Sequence, residues 1–142
     1  MPPPEPAAAR RECDRWLRQS AYDLADAELA AANARHALAC FLCQQAAEKA
    51  VAAYLFAKGA ERVWGNALAD LCQDAVALEP TFELIASVAV LLDKHYLGAR
   101  YPSSLPGGVP AEAYDAEDSR RALEIAKDVR EFVEIQLAAI EQ

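Results

Sequence analysis

The segment from His36 to Lys58 constrains the fold more than any other part of the chain, because it is apolar around almost its whole circumference. A helix with no polar face has to be covered on all sides by other elements. Gly59 follows directly and predicts the end of this helix, since glycine readily takes the left-handed conformation found there. The segment is therefore predicted to be the central helix of a bundle.

Apolar residues at three- and four-residue steps predict two long helices that flank this one, over residues 10–32 and 116–140. Asn33 is a plausible stop for the first of them. Asn66 is predicted to cap a shorter helix that ends near Leu78, and Pro80 fits the first turn of a fourth helix. The expected inward residues are Leu84, Ile85, Val88, Leu91 and Leu92 on the fourth helix, and Ala122, Ile125, Ala126, Val129, Phe132, Val133, Leu137 and Ile140 on the last.

These elements predict an all-α fold, an up-and-down antiparallel bundle of four main helices plus one short helix. Residues 1–9 are rich in proline and alanine and are expected to form a flexible arm, with one domain over residues 10–142. Residues 97–114 hold several prolines and glycines and are expected to form a long irregular loop, a kind of segment that is often functional.

The charge and the apolar runs exclude several classes of protein. The net charge of −8 repels phosphate backbones at long range, so general DNA binding is not expected. The longest uncharged apolar runs are far shorter than the ~20 residues that span a bilayer, and the N-terminus does not resemble a signal peptide. We therefore expect a cytoplasmic protein without a membrane segment, whose four cysteines stay reduced.

Four polar residues interrupt the central helix: Gln44, Gln45, Glu48 and Lys49. Gln44 and Glu48 share one face, as do Gln45 and Lys49, because four residues are close to one turn. A charge on a buried helix must be paired or must line a cleft or an interface. Two interpretations stay open, namely an internal hydrogen-bond network that fixes helix register and a contact to a ligand or a second subunit.

A second polar feature begins where the fourth helix ends. Asp93, Tyr96, Arg100 and Tyr101 combine one carboxylate with a guanidinium and two aromatic rings. Arginine binds phosphate through its planar fork, and aromatic rings stack on bases. The alternative is structural, with the tyrosines holding the loop on the bundle and Arg100 paired with Asp93 or Glu48.

These segments resemble the HEPN family. The resemblance rests on Gln-Gln-Ala-Ala-Glu-Lys-Ala in the central helix, on Leu-Asp-x-x-Tyr-x-x-x-Arg-Tyr-Pro before a proline-rich loop, and on Tyr22-Asp23-Leu24 in the first helix. It covers roughly residues 14–137. It implies a helical bundle, usually dimeric, that is linked to nucleotides or RNA and often paired with a minimal nucleotidyltransferase as one half of a toxin–antitoxin-type system. The candidate ligand or interface residues are Gln45, Glu48, Lys49, Asp93, Tyr96, Arg100 and Tyr101.

Other members of the family are metal-independent ribonucleases, marked by an arginine followed four to six residues later by a histidine. Neither His36 nor His95 has an arginine at that distance before it. Asn66 and Ser103 also stand where relatives often carry a titratable residue. A binding module is therefore the first hypothesis, and a ribonuclease that uses Arg100, His95 or Glu48 in a non-standard site is the alternative.

One further set of residues has the chemistry of a zinc site, namely His36, Cys40, Cys43 and Cys72. Zinc knuckles usually place such a cysteine pair on a turn with a second close pair, and the sequence has no second pair. Small cysteines in a helical core are the commoner arrangement. No metal and no cofactor are expected. No catalytic residue is assigned from the sequence.

Overall fold

The computed structural model describes residues 5–63 and 67–140, and all the regular structure in these ranges is helical. The α-helices are α1 (Pro6–Ala32), α2 (His36–Ala57), α3 (Leu68–Leu78), α4 (Glu83–Ala89), α5 (His95–Gly98), α6 (Pro110–Ala113) and α7 (Ala116–Ile140). Short 3-10 turns cover Pro80–Phe82, Val90–Leu92 and Pro102–Ser104. The predicted all-α class is confirmed. The predicted irregular loop contains α6 and one of the 3-10 turns.

Helix α2 lies at the centre and packs against α1, α3, α5, α6 and α7. Its side chains are buried on all sides along most of its length, as its composition predicts. Trp16 on α1 lies against Phe56 near the end of α2, and Ser20 bonds to the carbonyl of Ala46, so the two helices run antiparallel. Arg130 on α7 donates to the Ser20 hydroxyl at 2.7 Å and ties the last helix to the first.

Two helix ends follow one backbone pattern, in which a residue of positive φ lets the next amide reach back to the helix. After α2, Gly59 has φ +100° and the N–H of Ala60 donates to the carbonyl of Leu55 at 3.0 Å. The predicted role of Gly59 is confirmed. After α1, Asn33 ends the helix as predicted, but the left-handed position is held by Ala34, with φ +59°. A Cβ makes that conformation unfavourable.

Several boundaries and core assignments differ from the sequence-based predictions. Helix α1 begins at Pro6 rather than near residue 10, because proline is well tolerated in the first turn. Leu84 and Leu91 were predicted to face the core but are exposed, as is Ile140 near the chain end. The fourth helix is short and is followed by a 3-10 turn, so its apolar spacing does not continue as one regular α-helical stripe. The predicted cap Asn66 lies outside the described residues.

Candidate functional site: a buried polar cluster beside a stacked arginine

The polar segment of α2 is enclosed, as predicted. Gln44 is 1% exposed and Glu48 is 7% exposed. The Glu48 carboxylate accepts hydrogen bonds from the side-chain amides of Gln44 at 3.3 Å and Gln45 at 3.2 Å, and Gln45 also donates to the Gln44 carbonyl oxygen at 2.7 Å. Among the described residues, every buried polar side-chain atom has a hydrogen-bond partner. The polar side chains of this segment therefore form an ordered hydrogen-bond network, in which each buried polar group has the partner that it needs.

Lys49 extends this network to α1. Its Nζ lies 2.5 Å from Asp23 Oδ2 and 3.3 Å from the Gln45 side-chain oxygen. Asp23 also accepts a bond from Gln19 at 2.9 Å. The Asp23 side chain is almost fully buried, so removing Lys49 would leave a buried carboxylate without its counter-charge.

Asp93 holds the N-terminus of α3. Its two carboxylate oxygens accept the backbone N–H groups of Leu68 at 2.8 Å and Ala69 at 2.9 Å, and Gln44 donates to it at 3.4 Å. The first N–H groups of a helix have no partner within the helix, and a carboxylate there also matches the positive end of the helix dipole. Asp93 therefore caps α3 from a distant part of the chain and connects α3 to the polar segment of α2.

The position of Glu48 in this network affects its protonation. Burial raises the pKa of the Glu48 carboxyl, and the neighbouring charge of Asp93 raises it further. Hydrogen bonds from Gln44 and Gln45 and the charge of Lys49 act in the opposite direction on that pKa. Burial is the largest of these effects, so ionised Glu48 is costly in the folded protein.

Arg100 lies among three aromatic rings. Its guanidinium carbon is 4.4 Å from the ring centre of Phe41, 4.6 Å from that of Tyr96 and 5.0 Å from that of Tyr101. Its Nε donates to the backbone carbonyl of Tyr96 at 2.6 Å. Arg100 forms no ion pair with any residue in 5–63 or 67–140, so neither Asp93 nor Glu48 is the partner that the structural interpretation required.

A cleft of about 360 Å³ adjoins the buried cluster and Tyr96, the ring on which Arg100 packs, although Arg100 itself does not line it. Its lining residues are Gln44, Ala67, Asp93, Lys94, Tyr96, Leu97, Gly98 and Ser104. The cleft thus joins Gln44 and Asp93 of the polar network to Tyr96 of the aromatic stack. Its size is at the lower end of the range found for small-molecule sites.

No histidine or cysteine is among the residues that line this cleft. His95 is buried and bonds to the Tyr114 hydroxyl at 3.1 Å, and burial lowers its pKa to about 4. Burial likewise raises the pKa of Cys40, Cys43 and Cys72 to about 12, which disfavours the thiolate that zinc requires. Within the described ranges, no three His, Cys, Asp or Glu side chains are grouped so that they could hold a metal.

Sequence reasoning selected most of this site but missed two contributors. Asp23 was named from the sequence only as part of a family pattern, and Phe41 was not singled out. A buried cation needs a counter-charge, so the sequence indicates that some acid faces Lys49, but which acid it is depends on how the helices pack. Tyr96, Arg100 and Tyr101 come together, while Gln45, Glu48 and Asp93 form the neighbouring network. Lys49 points to α1 instead and lies at the far end of that network.

Comparison with known proteins is consistent with the resemblance. The HEPN domain matches residues 13–136. No helix in the described residues is both long and apolar enough to cross a membrane. No curated protein matches the chain.

Three solved structures share the fold. Protein TT1696 from Thermus thermophilus is 33% identical, with a TM-score of 0.78 over 87% of this chain and 96% of that one. ST0689, an archaeal HEPN homologue, is 33% identical, with a TM-score of 0.73 over 88% and 97%. The HEPN domain protein tm0613 from Thermotoga maritima is 28% identical, with a TM-score of 0.70 over 87% and 98%. With a match over most of its length, the chain belongs to the HEPN domain family.

Proposed function

We propose that this HEPN domain is a dimeric binding module that takes up a nucleotide or short RNA, with a phosphate at Arg100. The observation that carries the proposal is the Arg100 guanidinium, held among three rings and free of any ion pair within the described residues. Arginine is the residue best suited to a planar, bidentate contact with phosphate. Because its side chain is already fixed, little conformational entropy remains to be lost on binding.

The surroundings of Arg100 fit the remainder of such a ligand. Tyr96 and Tyr101 are about half exposed, so each ring has surface left for stacking on a base. The adjoining cleft offers Lys94 and the Ser104 hydroxyl as polar contacts. The overall charge of −8 limits the ligand to a local contact, since a long phosphate backbone would be repelled by the rest of the surface.

We further propose that the chain forms a homodimer and is one half of a two-protein toxin–antitoxin-type system with a nucleotidyltransferase. The family resemblance motivates the partner. Leu84 and Leu91 support an interface, because both are apolar, lie near each other in the chain and are 76% and 43% exposed. Sedimentation equilibrium should show a dimer, and Leu84→Glu should shift it to monomer. A wild-type chain that stays monomeric at every concentration would contradict the dimer.

Calorimetric titration of the protein with 5′-AMP, with adenosine and with a short single-stranded RNA tests the ligand. We expect the phosphate-bearing ligands to bind more tightly than adenosine. Arg100→Ala should weaken their binding by about 10- to 100-fold, the loss expected for one or two charge-assisted hydrogen bonds. Arg35→Ala, in the exposed turn after α1, is the matched control and should leave affinity unchanged. Equal affinities in both variants would remove Arg100 from the site.

The ribonuclease alternative receives less support from the geometry. His95 is neutral at pH 7 and in that sense able to accept a proton, but its ring is buried and its Nδ1 is engaged by Tyr114. It lines a different cleft from the one beside Arg100. If the chain is a toxic ribonuclease, expression should arrest growth and both Arg100→Ala and His95→Ala should relieve the arrest. Equal toxicity in all three would exclude these residues from the mechanism.

A further inference from the structure

A second groove, of about 520 Å³, runs along the outside of α1 and shares no lining residue with the cleft beside Arg100. It is lined by Glu12, Arg15, Trp16, Arg18, Gln19, Tyr22 and Lys49. All of these except Lys49 belong to α1, and at 1.5 Å per residue their span is about 15 Å. This elongated surface suits an extended or helical segment better than a compact small molecule.

The residue types in this groove are those that dominate protein–protein interfaces. Trp, Tyr and Arg are enriched among residues that carry most of the binding energy. The Trp16 ring packs on Phe56, with ring centres 5.3 Å apart, and its indole N–H donates to Glu12 at 3.0 Å, so it is already held in place. Tyr22 is 69% exposed, the most exposed aromatic residue in the described ranges. A fixed tryptophan beside an exposed tyrosine offers apolar contact at a small entropic cost.

The charge of the groove differs from that of the rest of the molecule. Arg15 is paired with Glu12 at 3.0 Å and Lys49 with Asp23, whereas Arg18 has no ion pair with any residue that the structure describes. The groove therefore keeps positive charge on a chain whose net charge is −8. A basic groove on such a chain is the part of the surface that suits an acidic partner.

We propose that the α1 groove is a docking surface for an acidic segment of a partner protein. A carboxylate of that segment would meet Arg18, and an apolar side chain beside it would lie on Trp16 and Tyr22. The Glu12 carboxylate is already held by Arg15 and by the Trp16 indole N–H, so Arg18 is the cation that remains for a carboxylate of the partner. This surface is independent of the ligand proposed for Arg100.

Trp16 provides a direct optical test. Trp64→Phe leaves Trp16 as the only tryptophan of the chain, and its emission can be followed during titration. The probe is a short acetylated peptide of alternating glutamate and leucine. A lysine–leucine peptide and a single-stranded RNA, both of equal length, are the comparisons. We expect only the acidic peptide to change the Trp16 emission, with an affinity that falls as salt is added.

Matched variants locate the binding. Arg18→Ala should lower the affinity for the acidic peptide by about tenfold. Arg35→Ala and Arg100→Ala should leave that affinity unchanged. Arg18 is exposed, and circular dichroism melts verify that the variant stays folded. Nucleotide binding that is lost in Arg100→Ala while peptide binding persists would separate this surface from the proposed nucleotide site.

Three results would overturn the proposal. One is the absence of any response to the acidic peptide, or a response that Arg18→Ala leaves intact. Another is binding of the RNA instead, which would make the groove a nucleic-acid surface. The last is a Trp16 change that depends on protein concentration without added peptide, which would indicate that a second copy occupies the groove.

Discussion

Replacing Asp93 by alanine removes the carboxylate that caps α3 and leaves the N–H groups of Leu68 and Ala69 without their partners. Loss of an N-terminal cap costs about 0.5–2 kcal/mol, and hydrogen bonds to charged groups contribute about 1.5–3 kcal/mol each. Asp93 is only partly buried, so water would replace part of this contribution. We expect a loss of about 2–3 kcal/mol in the free energy of unfolding, which lowers the Tm by roughly 6–12 °C.

Urea denaturation followed by circular dichroism measures this change, and Asp70→Ala is the matched control. Asp70 lies in the first turn of the same helix, but its effect is limited to the helix dipole at about 0.3–1 kcal/mol. Asp93→Asn keeps one acceptor oxygen and should fall between the two. If Asp93→Ala costs no more than Asp70→Ala, the capping role assigned to Asp93 is wrong.

Three further variants test the fold and its charges by thermal or urea unfolding. Lys49→Ala should cost about 2–4 kcal/mol because it strands the buried Asp23 carboxylate, whereas Lys58→Ala should cost under about 1 kcal/mol; equal losses would contradict the placement of Lys49. Ala34→Gly should raise stability by about 0.5–1 kcal/mol by relieving the left-handed φ of +59°, and a loss would show that this φ carries no strain. The folded-state pKa of His95, about 4, lies below its unfolded value, so its contribution is full above pH 6.5 and lost as the pH falls towards 4; His95→Gln should flatten that slope, and an unchanged slope would refute the assignment.

The pH experiment has to be read as a difference between variant and wild type. Burial raises the pKa of Glu48, so between its unfolded and folded pKa values the folded state binds more protons than the unfolded state. Stability from Glu48 therefore falls as the pH rises through that window, opposite in sign to the contribution of His95. Subtracting the two profiles isolates the histidine.

The long helices could be predicted from sequence because their signals are local. The apolar circumference of α2, the three- and four-residue spacing along α7 and the role of Gly59 all depend on residues within a few turns of one another. The broken fourth helix could not be predicted, since Leu84 and Leu91 continue an apolar stripe that the packing of the bundle leaves outside. Apolar periodicity indicates a helix but does not fix where the core ends.

The same difference between local signals and long-range contacts applies to the candidate site. The polar segment of α2 and the Arg100 segment could be identified from the sequence, because polar residues stood in an apolar context or beside aromatic ones. The residues that they contact could not be identified in this way. Asp93 caps a helix that begins 25 residues earlier in the chain, and Asp23 meets Lys49 across 26 residues. Such contacts depend on how the helices pack, and no local pattern in a single sequence specifies them.

The most direct test of the proposed function is the NMR signal of the Arg100 Nε–H during titration with 5′-AMP. This N–H bonds to the Tyr96 carbonyl and lies beside three rings, so its resonance should be resolved and sensitive to a nearby phosphate. The account predicts a saturable shift of this signal and of the Tyr96 and Tyr101 ring protons, with adenosine giving a smaller change. Saturable shifts elsewhere while these signals stay fixed, or no shift at all, would contradict it.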